Sequence, residues 1–505
     1  MEKNTANLAK TTRPSLSGIL PRERLFLRLD EGKESSITWI SGPPGSGKTT
    51  LATNYIDERG LDCLWYQVDA GESDVATFFY YMGQAVQARS DKQRALPILA
   101  PEYRGDLAAF SHTWFRELFS RLKTPFVVVF DNYQDAPAQS KFHEALRNGL
   151  AEIPQGEGSV VIISRSDPPP ALARFRASGA MTFVGWDELR LTREESDEIV
   201  SKRQPDLDEE TRTQLYEKTE GWAAGLVLML EQARGTSLAD VPVTATPQII
   251  FDYLAGEFLD NLDATTRTVL LRTALLPQIS AAAAADLSGE ADAGKLLNEL
   301  CKNHYLVSRL PTADEPLYQH HPLLREFLMR RAQEELSTSE RKELRTRAAV
   351  LLEKQGNVEN TAALLIESRD WDGLVRFIRE KAETMLAQGR GETLEQWLEE
   401  LPEERLNGEP WMLYWLGICR LPLSPRESAR LCERAFELFK SAAEPDPEGL
   451  FQACSGAMDG LLHDLDDLSP LDRWIEEMYA LLEEHDGFPS TDIESNCTRV
   501  IYISM

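Results

Sequence analysis

The stretch SGPPGSGKTT, from Ser41 to Thr50, has the spacing G-x-x-x-x-G-K-[ST]. This spacing suits phosphate binding, because glycines let backbone N–H groups curve around phosphate oxygens while a lysine reaches the β- and γ-phosphates and a threonine hydroxyl ligates Mg²⁺. A glycine-rich turn that fits by chance is the alternative. The predicted nucleotide-binding residues are Gly42, Pro43, Pro44, Gly45, Ser46, Gly47, Lys48, Thr49 and Thr50.

The segments on either side of this stretch predict a strand and a helix. Residues 37–40, ITWI, form a short apolar β-prone run. Residues 51–60, LATNYIDERG, have the composition of a helix that ends at Gly60. A strand, a loop and a helix in this order are the context that a P-loop requires, so the flanking sequence favours phosphate binding over a chance turn.

Two further apolar runs lead to charged side chains. FVVVFDN, residues 126–132, predicts a buried parallel strand that delivers Asp131 to its carboxyl edge, where it would hold Mg²⁺ together with Thr49. SVVIIS, residues 159–164, predicts a second strand followed by Arg165. An arginine at this edge is placed to interact with the γ-phosphate of a bound nucleotide. A surface salt bridge is the alternative role for Arg165.

The candidate catalytic residues are therefore Lys48, Asp131 and Arg165, but the residue after Asp131 is Asn132. Many NTPases of this class have a second carboxylate at that position, which polarises the attacking water, and an asparagine cannot accept a proton. Asp135 lies a few residues further on and is an alternative base. We therefore predict slow hydrolysis and a long-lived bound nucleotide.

The composition excludes several classes of protein. A chain of 505 residues that is 42% hydrophobic is long enough for several domains. Its 82 acidic and 54 basic residues give a formal net charge of -28, which repels a nucleic-acid backbone, so we expect no direct nucleic-acid contact. The six cysteines form no C-x-x-C pair, and the apolar runs are too short to cross a bilayer. These features predict a cytoplasmic protein with no membrane partner.

Two smaller domains are predicted after the sheet. Thr192 followed by Glu195 is a capping box, which is typical of a helix start in a small helical domain. After the linker VPVTATP, helices from about residue 249 to residue 303 precede the strand candidates YLVSRL and PLYQH, which flank the turn PTADEP. Helices followed by a hairpin predict a winged helix. Because no basic recognition helix is evident, a nucleotide-sensing or packing role is favoured over DNA recognition.

The C-terminal part reads as successive amphipathic helices. It carries degenerate tetratricopeptide (TPR) features, such as Gly417 after Leu416 and Ala435 before Phe439. Arrays of this kind stack helix pairs and leave a concave face for a ligand or a protein. The chain stops at TRVIYISM without a polar capping helix, which suggests a fragment of a longer protein.

Several segments occur in the order found in one family. They are RPSLSGILPRERLFLRL, CLWYQVDAGESDVATFFYYMGQAV, FVVVFDNYQD, VVIISRSDPPPALARFRASG, TEGWAAGLVL and YQHHPLLREFLMRR. With these segments the chain resembles the MalT-like regulators of the STAND class, which are signal transduction ATPases with numerous domains and are also called LuxR-type ATP-dependent transcriptional regulators. The resemblance covers nearly the whole chain.

The resemblance implies a nucleotide-controlled switch in which ADP is bound at rest, while ATP and an inducer favour an open, self-associating form. It implies that ATP or ADP and Mg²⁺ are the cofactors, that the unknown inducer binds the helical superhelix, and that transcription is regulated through a downstream effector or partner. By position, Arg165 would be the sensor arginine. His321 would be the winged-helix histidine that contacts the β-phosphate of ADP, with a structural histidine as the alternative. Trp222 matches the helical lid and is interpreted as core packing.

The predicted fold class is multidomain α/β plus α. The predicted domains are an N-terminal leader (1–20), a P-loop NTPase domain with a parallel sheet (21–187), a helical lid domain (188–240), a winged-helix domain (241–336) and a TPR-like α-superhelix (337–505). Family members usually carry a C-terminal DNA-binding domain, and we find none in these residues, so transcriptional control is implied by the resemblance alone.

Two other functions stay open. One is a P-loop ATPase doing mechanical or chaperone work, and Asn132 argues against it because such work needs steady turnover. The other is a nucleotide-independent interaction scaffold, and the intact loop from Gly42 to Thr49 argues against it.

Overall fold

A computed structural model gives the structure of most of the chain. The described residues are 9–14, 19–31, 35–89, 94–232, 251–252, 255–256, 259–260, 262–302, 306–310, 316–444, 446–464, 466 and 468–504. They divide into two compact units: unit 1 contains the described residues up to 97 and from 106 to 361, and unit 2 contains residues 98–105 and those from 362 onwards. Of the helices within these ranges, none combines the length and the apolar character needed to span a bilayer.

A five-stranded parallel sheet forms the centre of unit 1. Its strands are β1 (Ile37–Ser41), β2 (Asp62–Gln67), β3 (Phe126–Asp131), β4 (Gly158–Ser164) and β5 (Met181–Val184). Their order across the sheet is β2-β3-β4-β1-β5, and each neighbouring pair is parallel. Every residue of β1 and β3 is buried, which explains their continuous apolar sequence. The predicted parallel sheet is confirmed, and its carboxyl edge joins the ends of β1, β3 and β4.

Seven helices accompany the sheet. They are α1 (Glu23–Glu31), α2 (Lys48–Glu58), α3 (Val75–Arg89), α4 (Leu107–Phe119), α5 (Phe142–Leu150), α6 (Ala173–Ala177) and α7 (Trp186–Leu189). Helix α2 follows the P-loop directly, and the chain leaves it through Gly60, whose φ is +59°. That left-handed conformation ends the helix where the sequence predicts. Aromatic side chains fill the core, and the Phe78 ring lies 5.8 Å from Phe115 and 6.1 Å from Phe130 between ring centroids.

A small helical domain follows the sheet. Its helices are α8 (Arg193–Arg203), α9 (Glu209–Thr219) and α10 (Ala223–Gln232). The predicted capping box is confirmed, because the Thr192 hydroxyl accepts from the Glu195 N–H while the Glu195 carboxylate accepts from the Thr192 N–H. The predicted linker VPVTATP lies outside the described residues.

The winged helix completes the central part of unit 1. Its elements are α11 (Ala264–Thr273), β6 (Ile279–Ser280), α12 (Ala281–Ser288), α13 (Ala293–Lys302), β7 (Val307–Leu310), β8 (Leu317–His320) and α14 (Pro322–Glu335). The predicted antiparallel hairpin of β7 and β8 is confirmed, but β6 adds a third strand on the other side of β8. A strand of two residues is too short to produce a sequence period, so the pattern could not predict it. The described residues include only the last residue of the turn PTADEP.

Helices account for most of the described residues after residue 336. They are α15 (Thr338–Lys354), α16 (Val358–Ser368), α17 (Trp371–Ala387), α18 (Gly391–Glu399), α19 (Glu403–Gly408), α20 (Pro410–Arg420), α21 (Pro425–Ser441), α22 (Pro447–Asp464), α23 (Leu471–Glu484) and α24 (Thr491–Ser504). The predicted succession of helices is confirmed. Residues 498–504 of the final segment TRVIYISM belong to α24.

Helix α22 lacks the amphipathic pattern of the predicted helices. Its middle is buried on all sides, and it is rich in glycine, alanine and other small residues. A Cβ atom at Gly460 would lie 2.7 Å from the backbone nitrogen of Ala429 in α21, and one at Gly456 would lie 2.7 Å from the Cys432 Sγ. Small residues therefore allow close helix packing in unit 2, and a helix surrounded by protein shows no polar face in its sequence.

Candidate functional site

A cleft of about 930 Å³ in unit 1 brings the predicted site residues together. Its walls come from the P-loop, the carboxyl edge of the sheet, the helical domain and the winged helix. The predicted site residues that line it are Pro44, Gly45, Gly47, Lys48, Thr49, Thr50, Asp131, Arg165 and His321. The other three predicted residues, Gly42, Pro43 and Ser46, are loop residues outside the cleft lining, and their oxygen atoms accept hydrogen bonds from the Lys48 Nζ.

The P-loop has the backbone conformation that phosphate binding needs. Gly45 and Gly47 have φ angles of +72° and +85°, in the left-handed region that favours glycine. The Lys48 Nζ donates to the carbonyl oxygens of Gly42 at 2.8 Å and Pro43 at 2.9 Å. The pKa of Lys48 is lowered to about 8, chiefly by burial; the Asp131 carboxylate opposes this shift, and the positive charge of Arg165 adds to it. An anion bound at this loop would stabilise the charged form of Lys48.

The predicted metal ligands meet at the floor of the cleft. The Thr49 hydroxyl donates to both carboxylate oxygens of Asp131, at 3.1 and 3.2 Å. Burial raises the pKa of Asp131 to about 6, although hydrogen bonds from Thr49 and from the Asn132 N–H favour the carboxylate. A hydroxyl and a carboxylate are the hard oxygen donors that suit Mg²⁺, so Thr49 and Asp131 fit the predicted metal.

Asn132 has a structural reason to be an asparagine. Its φ of +65° is left-handed, a conformation that asparagine tolerates better than most residues. Its N–H donates to the Asp131 Oδ1 over 3.0 Å. Asp135, the alternative base, is exposed and lies outside the cleft lining, so Asp131 is the single carboxylate among the described residues that line the cleft.

The helical domain contacts the P-loop directly. The Trp222 Nε1 donates to the Pro44 carbonyl over 2.9 Å, and the Ala224 N–H donates to the Gly45 carbonyl over 3.1 Å. Trp222 is buried, as core packing requires, but its ring nitrogen also holds the loop. The sequence analysis missed this second role, because nothing local to Trp222 indicates a partner 178 residues away.

The winged helix brings His321 to the same cleft. His321 is the N-cap of α14, and its Nδ1 accepts the Leu323 N–H at 3.3 Å. The pKa of His321 is lowered to about 4, chiefly by burial, with contributions from the charges of Lys48 and Arg165. The ring is therefore neutral at pH 7. Because Nδ1 is the acceptor, we assign the proton to Nε2, which is then a hydrogen-bond donor.

The neighbouring histidine has a different role. His320 is 2% exposed, and its Nε2 lies 3.0 Å from the Thr273 hydroxyl in α11. Burial lowers its pKa to about 3, and the charge of Arg325 contributes. His320 is a structural histidine of the winged helix.

Arg165 lies in the cleft and also forms a salt bridge. It lines the cleft, and its Nη2 donates to the Glu326 Oε1 in α14 over 2.7 Å. Its backbone N–H donates to the Gln134 Oε1 over 2.9 Å. The sequence analysis assigned no role to Gln134 or Glu326. The remaining cleft wall includes the apolar side chains Ile19, Leu20, Phe26, Leu191 and Val227, a surface suited to an aromatic base.

Two families match parts of the chain. The family described as "MalT winged helix domain" matches residues 255–340, and the family described as "Nephrocystin 3, N-terminal" matches residues 19–165. The first range contains His321 and Glu326, and the second contains the P-loop, Asp131 and Arg165.

Curated relatives extend the similarity along the chain. The HTH-type transcriptional regulator MalT of Klebsiella pneumoniae is 27% identical over 417 residues, which are 80% of this chain and 45% of that protein. MalT of Cronobacter sakazakii is 28% identical over the same length, with the same coverage. The chain therefore spans about half the length of the curated relatives it matches.

A solved structure supports the fold. The Signal Transduction ATPase with Numerous Domains (STAND) protein with a tetratricopeptide repeat sensor from Pyrococcus horikoshii superimposes with a TM-score of 0.67 at 16% identity, covering 97% of this chain and 69% of that one. The chain is therefore similar in sequence to MalT and similar in fold to this STAND protein. In this chain, the P-loop region and the winged helix match separate families and line one cleft.

Proposed function

We propose that this chain is a nucleotide-controlled switch. ADP is bound at rest in the cleft of unit 1, and ATP together with an inducer favours an open form that self-associates. The observation that carries this proposal is that the helical domain contacts the P-loop at Pro44, while the winged helix contacts Arg165 at the end of β4. A nucleotide held there touches all three segments, so a change in its phosphates acts on their arrangement.

Each residue of the cleft has a role that follows from the chemistry of its side chain. The backbone N–H groups of the loop and Lys48 hold the phosphates, and Thr49 with Asp131 holds Mg²⁺. Mg²⁺, when bound, neutralises phosphate charge. His321 is neutral with its proton on Nε2, so it donates a hydrogen bond to the β-phosphate without adding a charge. Arg165 responds to the presence or absence of the γ-phosphate.

The energies are sufficient for a switch. Moving an equilibrium from mostly closed to mostly open needs about 5.5 kcal/mol of differential affinity. Hydrogen bonds to charged groups contribute roughly 1.5 to 3 kcal/mol each. Two or three contacts made in one nucleotide state alone are therefore enough, and His321, Arg165 and the Thr49–Asp131 pair are the candidates.

We propose that hydrolysis is slow and resets the switch. Asn132 cannot act as a base, and Asp135 lies outside the cleft lining. This argues against a motor or chaperone ATPase, which needs steady turnover. We place the inducer on the helices of unit 2, whose relatives include a protein with a tetratricopeptide repeat sensor. The output is transcriptional control through an effector or partner, as the names of the MalT relatives suggest.

The test is the nucleotide content and the release rate of the purified chain. We expect copurified ADP, slow exchange and slow single-turnover ATP hydrolysis. His321→Ala should release ADP about tenfold faster, the equivalent of one lost hydrogen bond of about 1.4 kcal/mol, and should increase self-association in light scattering. His112→Ala is the matched control, since His112 is exposed on α4 and pairs with Glu152.

The alternatives give different results. A site empty of nucleotide and without affinity for it would favour the interaction scaffold. Rapid exchange with steady turnover would favour the motor. An unchanged ADP release rate in His321→Ala would remove His321 from the mechanism.

A further inference from the structure

The winged helix places the carboxylate of Glu326 against Arg165, the arginine proposed to respond to the γ-phosphate. Arg165 and Glu326 are 161 residues apart in sequence and are joined by an ion pair of 2.7 Å. We propose that the Glu326 carboxylate occupies the counter-ion position that the γ-phosphate of ATP would take on Arg165. Glu326 thereby makes the closed arrangement, in which the Arg165–Glu326 ion pair is formed, selective for ADP. This inference rests on the proposed function, because it explains how that switch distinguishes ATP from ADP.

Arg165 lies at the phosphate end of the cleft. Its positive charge lowers the pKa of Lys48, which belongs to the P-loop, and also that of His321, the N-cap of α14. Charges affect each other in this way only over short distances. A third phosphate held by Lys48 therefore lies within the field of Arg165.

The Arg165 side chain can change partners without moving its backbone. The Gln134 amide oxygen accepts the Arg165 N–H, and the same Gln134 donates from Nε2 to Asp135 at 3.2 Å. The guanidinium itself is 30% exposed and the Glu326 carboxylate 47% exposed. Ion pairs exposed to this extent are weak, so the contact with Glu326 can be exchanged.

A γ-phosphate is the stronger partner. A phosphate carries more negative charge than a carboxylate and accepts bidentate hydrogen bonds from arginine. With ATP bound, the γ-phosphate and the Glu326 carboxylate would compete for one guanidinium, and the two anions would repel each other. With ADP bound, Glu326 neutralises Arg165 and no repulsion arises. The closed arrangement is therefore compatible with two phosphates and opposed by three.

The same helix carries the second phosphate-sensing group. His321 is the N-cap of α14 (Pro322–Glu335), and Glu326 lies in the following turn. Displacement of Glu326 by the γ-phosphate therefore moves the helix that also positions His321. The position of the winged helix therefore depends on whether the Arg165 Nη2 contacts the Glu326 Oε1 or the γ-phosphate, that is, on whether the nucleotide has two or three phosphates.

The experiment compares the affinities of ADP and the slowly hydrolysed analogue ATPγS for the full 505-residue chain, measured by calorimetry with Mg²⁺ present. In Glu326→Gln we expect the affinity for ATPγS to rise about fivefold relative to that for ADP, the size of one exposed charge pair. Glu334→Gln is the matched control, because Glu334 lies in the same helix and pairs with Arg331 at 3.3 Å. It should leave the affinity ratio unchanged.

A double mutant tests the route through Arg165. If Glu326 acts by neutralising Arg165, then Glu326→Gln should have no further effect on the affinity ratio in an Arg165→Ala background. Additive effects of the two substitutions would overturn the inference. So would an unchanged ratio in Glu326→Gln when the wild type distinguishes the two nucleotides. If the wild type itself binds ADP and ATPγS equally, the proposed function fails, and the competition fails with it.

Discussion

Within each of the two units, a different kind of contact is prominent. In unit 1, buried charged groups join segments that are far apart in the sequence, as where the Lys10 Nζ donates to Asp69 at 2.8 Å and to Glu72 at 2.7 Å. In unit 2, the close contacts of α22 depend on glycines, and Gly456 and Gly460 leave no room for a Cβ atom. Charged contacts can exchange one partner for another, whereas close packing has one good solution. The Lys10 contacts of unit 1 are therefore sensitive to charge, and the α22 contacts of unit 2 are sensitive to side-chain volume.

The largest expected effect comes from the buried charges of unit 1. Glu72 is fully buried, and besides Lys10 it accepts a hydrogen bond from the Tyr66 hydroxyl at 2.6 Å. Burial raises the pKa of Glu72, and the adjacent carboxylates raise that of Lys10 against its own burial. Lys10→Met removes the cation and leaves a buried carboxylate uncompensated. We expect the free energy of unfolding to fall by about 3 to 5 kcal/mol in denaturant titrations.

Two further variants identify the cause. Lys123→Met, at an exposed lysine, should change stability by no more than about 0.5 kcal/mol. Lys10→Met combined with Glu72→Gln should recover part of the loss, because the remaining group is then neutral. If the single Lys10 variant is as stable as the wild type, charge pairing does not hold this part of unit 1 together.

The next effect tests the packing of unit 2. In Gly460→Ala, the new Cβ would meet the backbone of Ala429 at 2.7 Å, and backbone atoms cannot rotate away. We expect a loss of about 2 kcal/mol in thermal or denaturant unfolding, with ADP affinity unchanged because the cleft lies in unit 1.

Gly408→Ala is its control, since a Cβ there has no atom within 4 Å. This variant should be neutral or slightly stabilising, as alanine is the better helix former. Equal stability of the Gly460 and Gly408 variants would show that α22 and α21 tolerate a wider spacing.

The third expected effect, similar in size to that of Gly460→Ala, is the pH dependence that His320 gives to the stability of unit 1. The pKa of His320 is lowered to about 3 in the folded chain, against an ordinary value of about 6.5 in the unfolded one. The unfolded state therefore binds more protons between these values, and stability is full above pH 6.5 and falls as the pH falls. From pH 7 to pH 5, His320 alone should contribute a loss of about 2 kcal/mol.

The variant His320→Gln isolates this contribution. Glutamine keeps a polar group near the Thr273 hydroxyl but does not titrate. Its unfolding free energy should depend less on pH than that of the wild type. Parallel pH profiles for the two proteins would contradict a lowered pKa of His320.

Most of the fold was predictable because its signals are local. The P-loop glycines, the apolar strands that end at Asp131 and before Arg165, and the Thr192 capping box depend on neighbouring residues, so their spacing is visible in the sequence. The β6 strand was missed because two residues show no period. Helix α22 departs from the predicted amphipathic pattern because a helix buried on all sides shows no polar face. The predicted roles of Lys48, Arg165 and His321 remain predictions until nucleotide binding is measured.

The sequence by itself determined the chemistry of the phosphate loop, because that chemistry depends on glycines, a lysine and a threonine within eight consecutive positions. Only the tertiary structure decided what surrounds the loop. Trp222 holds Pro44 across 178 residues, and Glu326 pairs with Arg165 across 161 residues. Contacts at such separations leave no mark on local periodicity, because they depend on how the helical domain and the winged helix fold back onto the sheet.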